Sequence, residues 1–178
     1  MVLTDLRYGF IAGRRRWLAW RSKPVAPSAI VRGARGSVVG VAKAIDEALT
    51  GPFTDQPSVF HEVIRAEGKK TPHGRTVFHE TFRNMSTVPF EVVGDDGSRL
   101  LVEPTIAVHS LLPEYIVPTE GHRWTEARIA PGERVVVYGM VDETGAIDTS
   151  GYRAEAITIP RIRGTIEEPL VISRAKTD

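Results

Sequence analysis

The sequence predicts a mainly β protein, a single antiparallel barrel or sandwich of about 8–10 short strands. Two observations carry this prediction. Runs rich in β-branched and aromatic residues recur along the chain, and Gly, Pro and Asp-Gly turn signals separate them. A chain of 178 residues, 42% of them hydrophobic, suits one folded core. We divide it into an N-terminal arm at 1–23, a proline-containing linker at 24–29 and a β domain at 30–175.

The arm is predicted to form a basic amphipathic helix. Its apolar residues recur at offsets of three and four, a spacing that places side chains on one helix face. These residues are Leu6, Phe10, Gly13, Trp17 and Trp20. Arginines at 7, 14, 15 and 21 are expected around the other sides. Arginines at 14–16 interrupt the only apolar candidate segment, so we expect neither a membrane-spanning helix nor a cleaved signal peptide.

Charge is distributed unevenly between the arm and the rest of the chain. Residues 1–36 hold eight Arg and Lys against one Asp, a charge of +7. The remainder holds 15 basic and 21 acidic residues, a charge of −6. A basic arm on a mildly acidic body is expected to seek an anionic surface, either on that body or on a partner.

Three interpretations of the arm remain open. In the first, its aromatic face packs on the protein's own core or on a sister subunit. In the second, the helix lies on an anionic membrane with its tryptophans among the headgroups. In the third, which the acidic body disfavours, arginines contact nucleic-acid phosphates and tryptophans stack on bases. The predicted contact residues are Leu6, Phe10, Arg14, Arg15, Arg16, Trp17, Trp20 and Arg21.

The linker and the start of the β domain contain strong turn signals. Prolines in the linker disfavour helix at the residues before them, so 24–29 is expected to end the helix and act as a semi-rigid spacer. A short strand is predicted at 37–41, between two glycines. Residues 45–49 predict one short helical turn, which Gly51-Pro52 ends.

Two pairs of strands follow from local patterns. The similar runs VFHEVIR at 59–65 and VFHETFR at 77–83 predict neighbouring antiparallel strands, since a polar, turn-forming stretch separates them. The dipeptide Asp96-Gly97 predicts a hairpin between strands at 89–93 and 99–103.

The C-terminal half predicts a proline-interrupted loop and then more short strands. The loop is expected at 104–121, where three prolines separate apolar fragments. The remaining predicted elements are strands at 123–129 and 134–140, a hairpin turn through 143–145, and strands at 156–159 and 169–173.

No motif in the sequence predicts an enzyme or a cofactor. The absence of cysteine excludes disulfides, thiolate metal sites and cysteine nucleophiles. His-Glu pairs at 61–62 and 79–80 resemble half of a zincin motif, but arginines stand where its second histidine is required. We favour a solvated strand face for them. The alternative is a metal site formed by His61 and His79 across the sheet, with His122 as third ligand.

Several short motifs of the β domain occur in a recognisable order. They are a glycine-flanked strand at 36–40, a turn at 49–56, a strand at 59–64, Pro89-Phe90, Asp96-Gly97, Val102-Glu103-Pro104, Thr125-Glu126, Pro131-Gly132-Glu133, a strand at 135–139 and a final run at 169–173. In this order they resemble a GIDE-type domain, also called a beside-a-membrane (BAM) domain, of the E3 ubiquitin ligase-like family.

The resemblance implies a β-rich module next to a membrane. Members of that family commonly carry transmembrane segments, and its ligase branch carries a cysteine-rich RING. This chain has no cysteine and predicts no spanning helix, so ligase activity is not implied. We expect a non-catalytic binding or assembly module that docks a protein partner through its arm. The alternative is a peripheral protein attached to anionic lipid by that arm. We expect a cytoplasmic location, in the second case at the inner face of a membrane.

Overall fold

The computed structural model describes residues 13–14, 16–105, 107–109, 115–119, 121–142, 146–148, 157–165 and 167–175. The prediction of a mainly β protein is confirmed, and within these residues the sheets stay open instead of closing into a barrel. One short helix covers 13–14 and 16–21, which we call the arm helix, and one 3-10 turn covers Pro27–Ala29.

The described strands number 15, more than expected, because several span only two or three residues. They are β1 (Arg35–Ala44), β2 (Leu49–Thr50), β3 (Pro57–Ser58), β4 (Phe60–Lys70), β5 (Thr76–Thr87), β6 (Phe90–Val93), β7 (Arg99–Glu103), β8 (Ala107–His109), β9 (Tyr115–Thr119), β10 (His122–Ile129), β11 (Arg134–Met140), β12 (Ala146–Asp148), β13 (Ile157–Ile159), β14 (Arg161–Arg163) and β15 (Leu170–Arg174).

The larger sheet has seven strands in the order β14-β7-β6-β1-β11-β15-β8. Strand β1 lies at its centre and pairs antiparallel with β6 on one side and β11 on the other. Most neighbours are antiparallel, as predicted, but β14 runs parallel to β7 and β8 runs parallel to β15. A single bridge between Val141 and Ile162 links the end of β11 to β14, so this sheet curls toward itself.

The second sheet has four strands in the order β5-β4-β10-β9. The similar runs at 59–65 and 77–83 lie in and beside β4 and β5, which confirms that they are antiparallel neighbours. The hairpin around Asp96-Gly97 is confirmed as β6 and β7. Gly97 adopts a φ of 76°, a left-handed conformation that glycine tolerates better than other residues. Strands β2 and β3, and β12 and β13, form two small sheets.

One core joins the two larger sheets. Fully buried side chains from the seven-stranded sheet, such as Val38 and Leu100, pack in one cluster with Phe60 and Ile129 of the four-stranded sheet. The opposite end of the β4–β5 hairpin leaves this core, because the side chains at 76–84 are all exposed. The four-stranded sheet therefore has one end inside the core and one end in solvent.

Two local predictions are wrong. Residues 45–49 do not form a helical turn: the chain bends there, and Leu49 begins β2 opposite Ser58. The first turn of a helix orders several residues for a single hydrogen bond, so a five-residue helix is unfavourable by itself. Pairing of β2 with β3 gives the backbone groups of Leu49 and Thr50 partners instead. The region 104–121 is not only a loop, because it contains β8 and β9. The predicted turn at 143–145 lies outside the described residues.

The linker at 24–29 is attached to the seven-stranded sheet. The Val25 amide donates to the Ser37 carbonyl at 2.9 Å, and the Val39 amide donates to the Val25 carbonyl at 3.0 Å. Pro27 is buried, and the Ser28 hydroxyl donates to Asp96 Oδ2 at 2.5 Å. These contacts fix where the chain leaves the arm helix and enters the body.

Candidate docking surface

The arm helix is anchored to the seven-stranded sheet by its small aliphatic side. Leu18 and Ala19 pack against Tyr138 of β11 and Val171 of β15. Tyr138 is 5% exposed and Val171 is 4% exposed. Neighbouring strand residues point to opposite faces, and Val137 belongs to the main core, so Tyr138 presents the outer face of the sheet. The helix therefore lies outside the core and covers part of that face.

The two tryptophans of the arm helix point away from this anchor. Each helical residue turns the side-chain direction by about 100°, which separates Trp17 and Trp20 from Leu18 and Ala19. Trp17 is 52% exposed and Trp20 is 81% exposed. The prediction that aromatic residues share one face holds for this pair. That face meets solvent in the single chain, so it does not pack on the protein's own core. The other form of the first interpretation, packing on a sister subunit, stays a prediction.

Exposed arginines flank the tryptophans on the arm helix. Arg14, Arg16 and Arg21 are exposed, because Leu18 and Ala19 take the side that faces the sheet. The Arg21 guanidinium lies 4.8 Å from the centre of the Trp17 ring, within range of a cation–π interaction. The exposed surface is therefore both aromatic and cationic.

A crevice of about 250 Å³ runs between the arm helix and the sheet. Trp20 forms its outer lip, and Val136, Ser173 and Arg174 line the sheet side. A side chain from a partner inserted here would contact the indole on one side and the sheet on the other. The arm helix and the sheet thus build one continuous surface, which we call the docking surface.

Three of the predicted contact residues, Leu6, Phe10 and Arg15, lie outside the described residues. Sequence reasoning missed Leu18 and Ala19 as the anchor. The available signal was their spacing, which places them on the side of the helix opposite Trp17 and Trp20. Periodicity alone shows which residues share a face, and it does not show which face meets the protein.

A buried carboxylate holds the turn between β2 and β3. Glu126 of β10 is 0% exposed, and its Oε2 accepts hydrogen bonds from the backbone amides of Phe53 at 2.8 Å and Thr54 at 3.2 Å. Its Oε1 accepts a bond from the Thr54 hydroxyl at 2.7 Å. A Cβ on Gly51 would collide with the same carboxylate. These contacts assign Glu126 a role in shaping the Thr-Gly-Pro-Phe turn.

His61 lies on the same face of the four-stranded sheet as Glu126 and is 7% exposed. Its Nδ1 lies 3.2 Å from the Ser58 hydroxyl. Burial lowers the pKa of His61 below its usual value, and the negative charge of Glu126 partly opposes this. The neutral imidazole is therefore the form that the fold favours.

The lowered pKa of His61 predicts a pH dependence of stability. The unfolded chain takes up this proton below about pH 6.5, before the folded chain does, so the free energy of unfolding falls as pH drops through that range. Below the folded pKa this contribution becomes constant. Urea unfolding of His61→Gln between about pH 5 and 7.5 should show a shallower fall than wild type. An unchanged slope in His61→Gln would contradict the assignment.

The alternative metal site at His61 and His79 is wrong. In the observed register His61 is opposite Ser86, whereas His79 is opposite Glu67, further along the hairpin. His122 of β10 also lies opposite Glu67, so it is level with His79 along the sheet and distant from His61. Within the part of the chain that the structure describes, no group of three or more His, Cys, Asp or Glu side chains is arranged to hold a metal ion.

No helix among the described residues combines the length and the apolar content needed to cross a membrane. Comparison of the chain with known protein families, with curated proteins and with solved structures finds no match in any of the three.

Proposed function

We propose that this protein is a non-catalytic binding module that docks a protein partner through the docking surface. One observation carries the proposal: Trp20 is 81% exposed on a helix that is already anchored by its other side. A large indole held in water by a folded scaffold is typical of an interaction site, where tryptophan and arginine are enriched. The linker contacts of Val25 and Pro27 keep that scaffold in place.

The energetics favour the tryptophans as the principal contacts. Burying one exposed indole against an apolar partner surface is worth about 2–4 kcal/mol. The arginines beside them supply donors for carboxylates at the rim, where single ion pairs contribute about 1 kcal/mol or less but orient the partner. A partner with an apolar patch bordered by acidic residues fits this surface. For this function we propose a cytoplasmic location.

A second function is peripheral attachment to an anionic membrane. It is supported by the exposed cations Arg14, Arg16, Arg21 and Lys23, which border the exposed tryptophans, and by the charge of +7 over residues 1–36. Helices that lie in the membrane interface combine indoles at headgroup level with Lys and Arg beside anionic lipids. In this version the protein lies at the inner face of a membrane.

The two functions are tested with one pair of variants. The double variant Trp17→Ala/Trp20→Ala removes both indoles, and Ile45→Ala removes an exposed side chain, 48% accessible, far from the arm in sequence. The tagged full chain is used to capture proteins from an extract of cells that express it. We expect the double variant to lose its specific partner by at least about tenfold, while Ile45→Ala retains it.

The lipid version is measured with the same proteins and purified vesicles. Flotation with phosphatidylcholine vesicles containing phosphatidylglycerol at low salt should recover wild type and Ile45→Ala but not the double variant if the membrane is the target. Wild type that stays unbound at low salt contradicts the lipid version. Equal capture of proteins by wild type and the double variant contradicts the protein version.

A further inference from the structure

The outer edge of the four-stranded sheet is open along β5. This strand covers Thr76–Thr87 and, among the described residues, pairs only with β4. Its side chains at 76–84 are all exposed, including Val77 at 43%, Phe78 at 39% and Phe82 at 48%. A long edge strand without proline offers unpaired backbone groups to another strand. Such an edge is a site for adding a strand to the sheet.

A β-bulge divides this edge into two halves. Phe82 is opposite Arg65, whereas Glu80 is opposite Ala66, the next residue of β4, so Thr81 is the extra residue of β5. A residue inserted in this way reverses the alternation of side chains along the strand. A residue before the bulge therefore shares a face with residues an odd number of positions later, as Glu80 does with Arg83, whereas in a regular strand this number is even.

The ion pairs of β5 agree with this change of alternation. Phe78 and Glu80 before the bulge, and Arg83 and Met85 after it, lie opposite residues on one face of β4. Arg83 binds Glu80 through Nε at 2.9 Å and Nη2 at 2.6 Å, which requires the two side chains to be on the same side. Arg83 also reaches the buried Glu62 at 2.6 Å.

We propose that β5 pairs antiparallel with β5 of a second copy of this chain, about a twofold axis between Thr81 and Phe82. The bulge permits this pairing. Residues before the bulge share a face with residues an odd number of positions later, so an axis between two residues places side chains of the same sheet face opposite each other. With the axis at this position, Glu80 lies opposite Arg83 of the second copy and Phe78 lies opposite Met85 of the second copy. The two four-stranded sheets then form one continuous sheet of eight strands.

Charge complementarity selects this register among the allowed ones. Shifting the axis by one residue either way places Arg83 opposite Phe78, or Glu80 opposite Met85, and removes both cross-strand ion pairs. At the proposed axis two acids and two guanidinium groups alternate with no net charge. Each guanidinium has five N–H donors, so Arg83 can hold its own Glu80 and still donate across the axis.

Cysteine cross-linking tests the register directly, because the chain contains no cysteine. Thr81→Cys and Thr76→Cys each introduce one thiol at an exposed position of β5. In the proposed dimer the two copies of Cys at 81 lie beside the axis, whereas those at 76 are about 35 Å apart. Mild oxidation or a short thiol cross-linker should give covalent dimers of Thr81→Cys and leave Thr76→Cys monomeric.

A charge reversal tests the same pairing without a cross-link. Glu80→Arg places like charges opposite each other twice, and sedimentation should show dimerisation weakened about tenfold or more. Glu47→Arg makes the same charge change at an exposed loop position and should dimerise as wild type does. Circular dichroism and thermal unfolding of both variants check that each remains folded.

Three results would overturn the proposal: purified wild type that remains monomeric at high concentration, equal cross-linking at 81 and 76, or Glu80→Arg that dimerises normally. If the β5 edge binds only a strand of a different protein, purified wild type remains monomeric. The arm is not involved, so Trp17→Ala/Trp20→Ala should leave the cross-link at 81 unchanged. This pairing and the docking surface therefore succeed or fail separately.

Discussion

Replacing Glu126 with alanine is expected to lower the free energy of unfolding by about 3–5 kcal/mol. The carboxylate is fully buried and accepts hydrogen bonds from two backbone amides and one hydroxyl, at Phe53 and Thr54. Alanine leaves these donors without an acceptor in a site that solvent reaches poorly, and it also leaves a cavity. Urea unfolding followed by circular dichroism measures the change.

Two further variants show whether the hydrogen bonds are responsible. Glu126→Gln preserves the shape of the side chain but replaces one acceptor oxygen with a donor, so its loss of stability should be intermediate. Glu47→Ala, at an exposed position, should stay within about 0.5 kcal/mol of wild type. An effect of Glu126→Ala no larger than that of Glu47→Ala would show that the turn does not depend on this carboxylate.

Replacing Gly40 with alanine is expected to cost about 2–4 kcal/mol, because the added methyl group meets backbone. A Cβ at Gly40 would lie 2.8 Å from the carbonyl carbon of Val93 and 2.8 Å from a methyl group of Val92, closer than such atoms approach in proteins. Relief of this collision requires β1 to move away from β6, and these strands are paired at the centre of the larger sheet.

Gly36→Ala is a matched control for this prediction. It lies in the same strand, but a Cβ there would meet only the side chain of Ile30, which is half-buried and able to change its rotamer. We expect a change in the free energy of unfolding within about 1 kcal/mol. Thermal unfolding of both variants should therefore rank Gly40→Ala well below Gly36→Ala, and equal stabilities would contradict the close packing of β1 on β6.

The sequence predicted the elements whose signals are local. Asp96-Gly97 supplied a turn with the required left-handed glycine, and the hydrophobic runs around it became β6 and β7. The similar runs at 59–65 and 77–83 paired as expected, because they are also close in the chain and separated by a turn-forming stretch. The helical turn predicted at 45–49 is wrong, because the pairing of β2 with β3 outweighs a short helical pattern.

Features that depend on distant contacts could not be predicted. The parallel pairing of β14 with β7 and of β8 with β15 joins segments far apart in the chain, and no local pattern specifies it. The outward direction of Trp17 and Trp20 depends on Tyr138 and Val171, which receive the other side of the helix. The β5 bulge likewise becomes visible only in the register between two strands.

The arm helix and the β body have different roles in this account. The body supplies the outer face of the seven-stranded sheet, and Leu18 and Ala19 attach the helix to it. In the proposed function, the helix presents Trp17 and Trp20 to a protein partner at small entropic cost, because their backbone is already part of a helix. A scaffold of this kind requires no catalytic residue for the proposed function.

Photo-cross-linking from position 20 tests the docking surface most directly. The full chain carries p-benzoylphenylalanine in place of Trp20, and a second version carries it in place of Ile45, which is exposed outside the docking surface. Both are irradiated in an extract of cells that express the protein. We predict a discrete adduct with one protein from position 20 and none from position 45. The absence of a protein adduct from position 20, or the same adducts from both positions, would contradict the proposed protein-docking function.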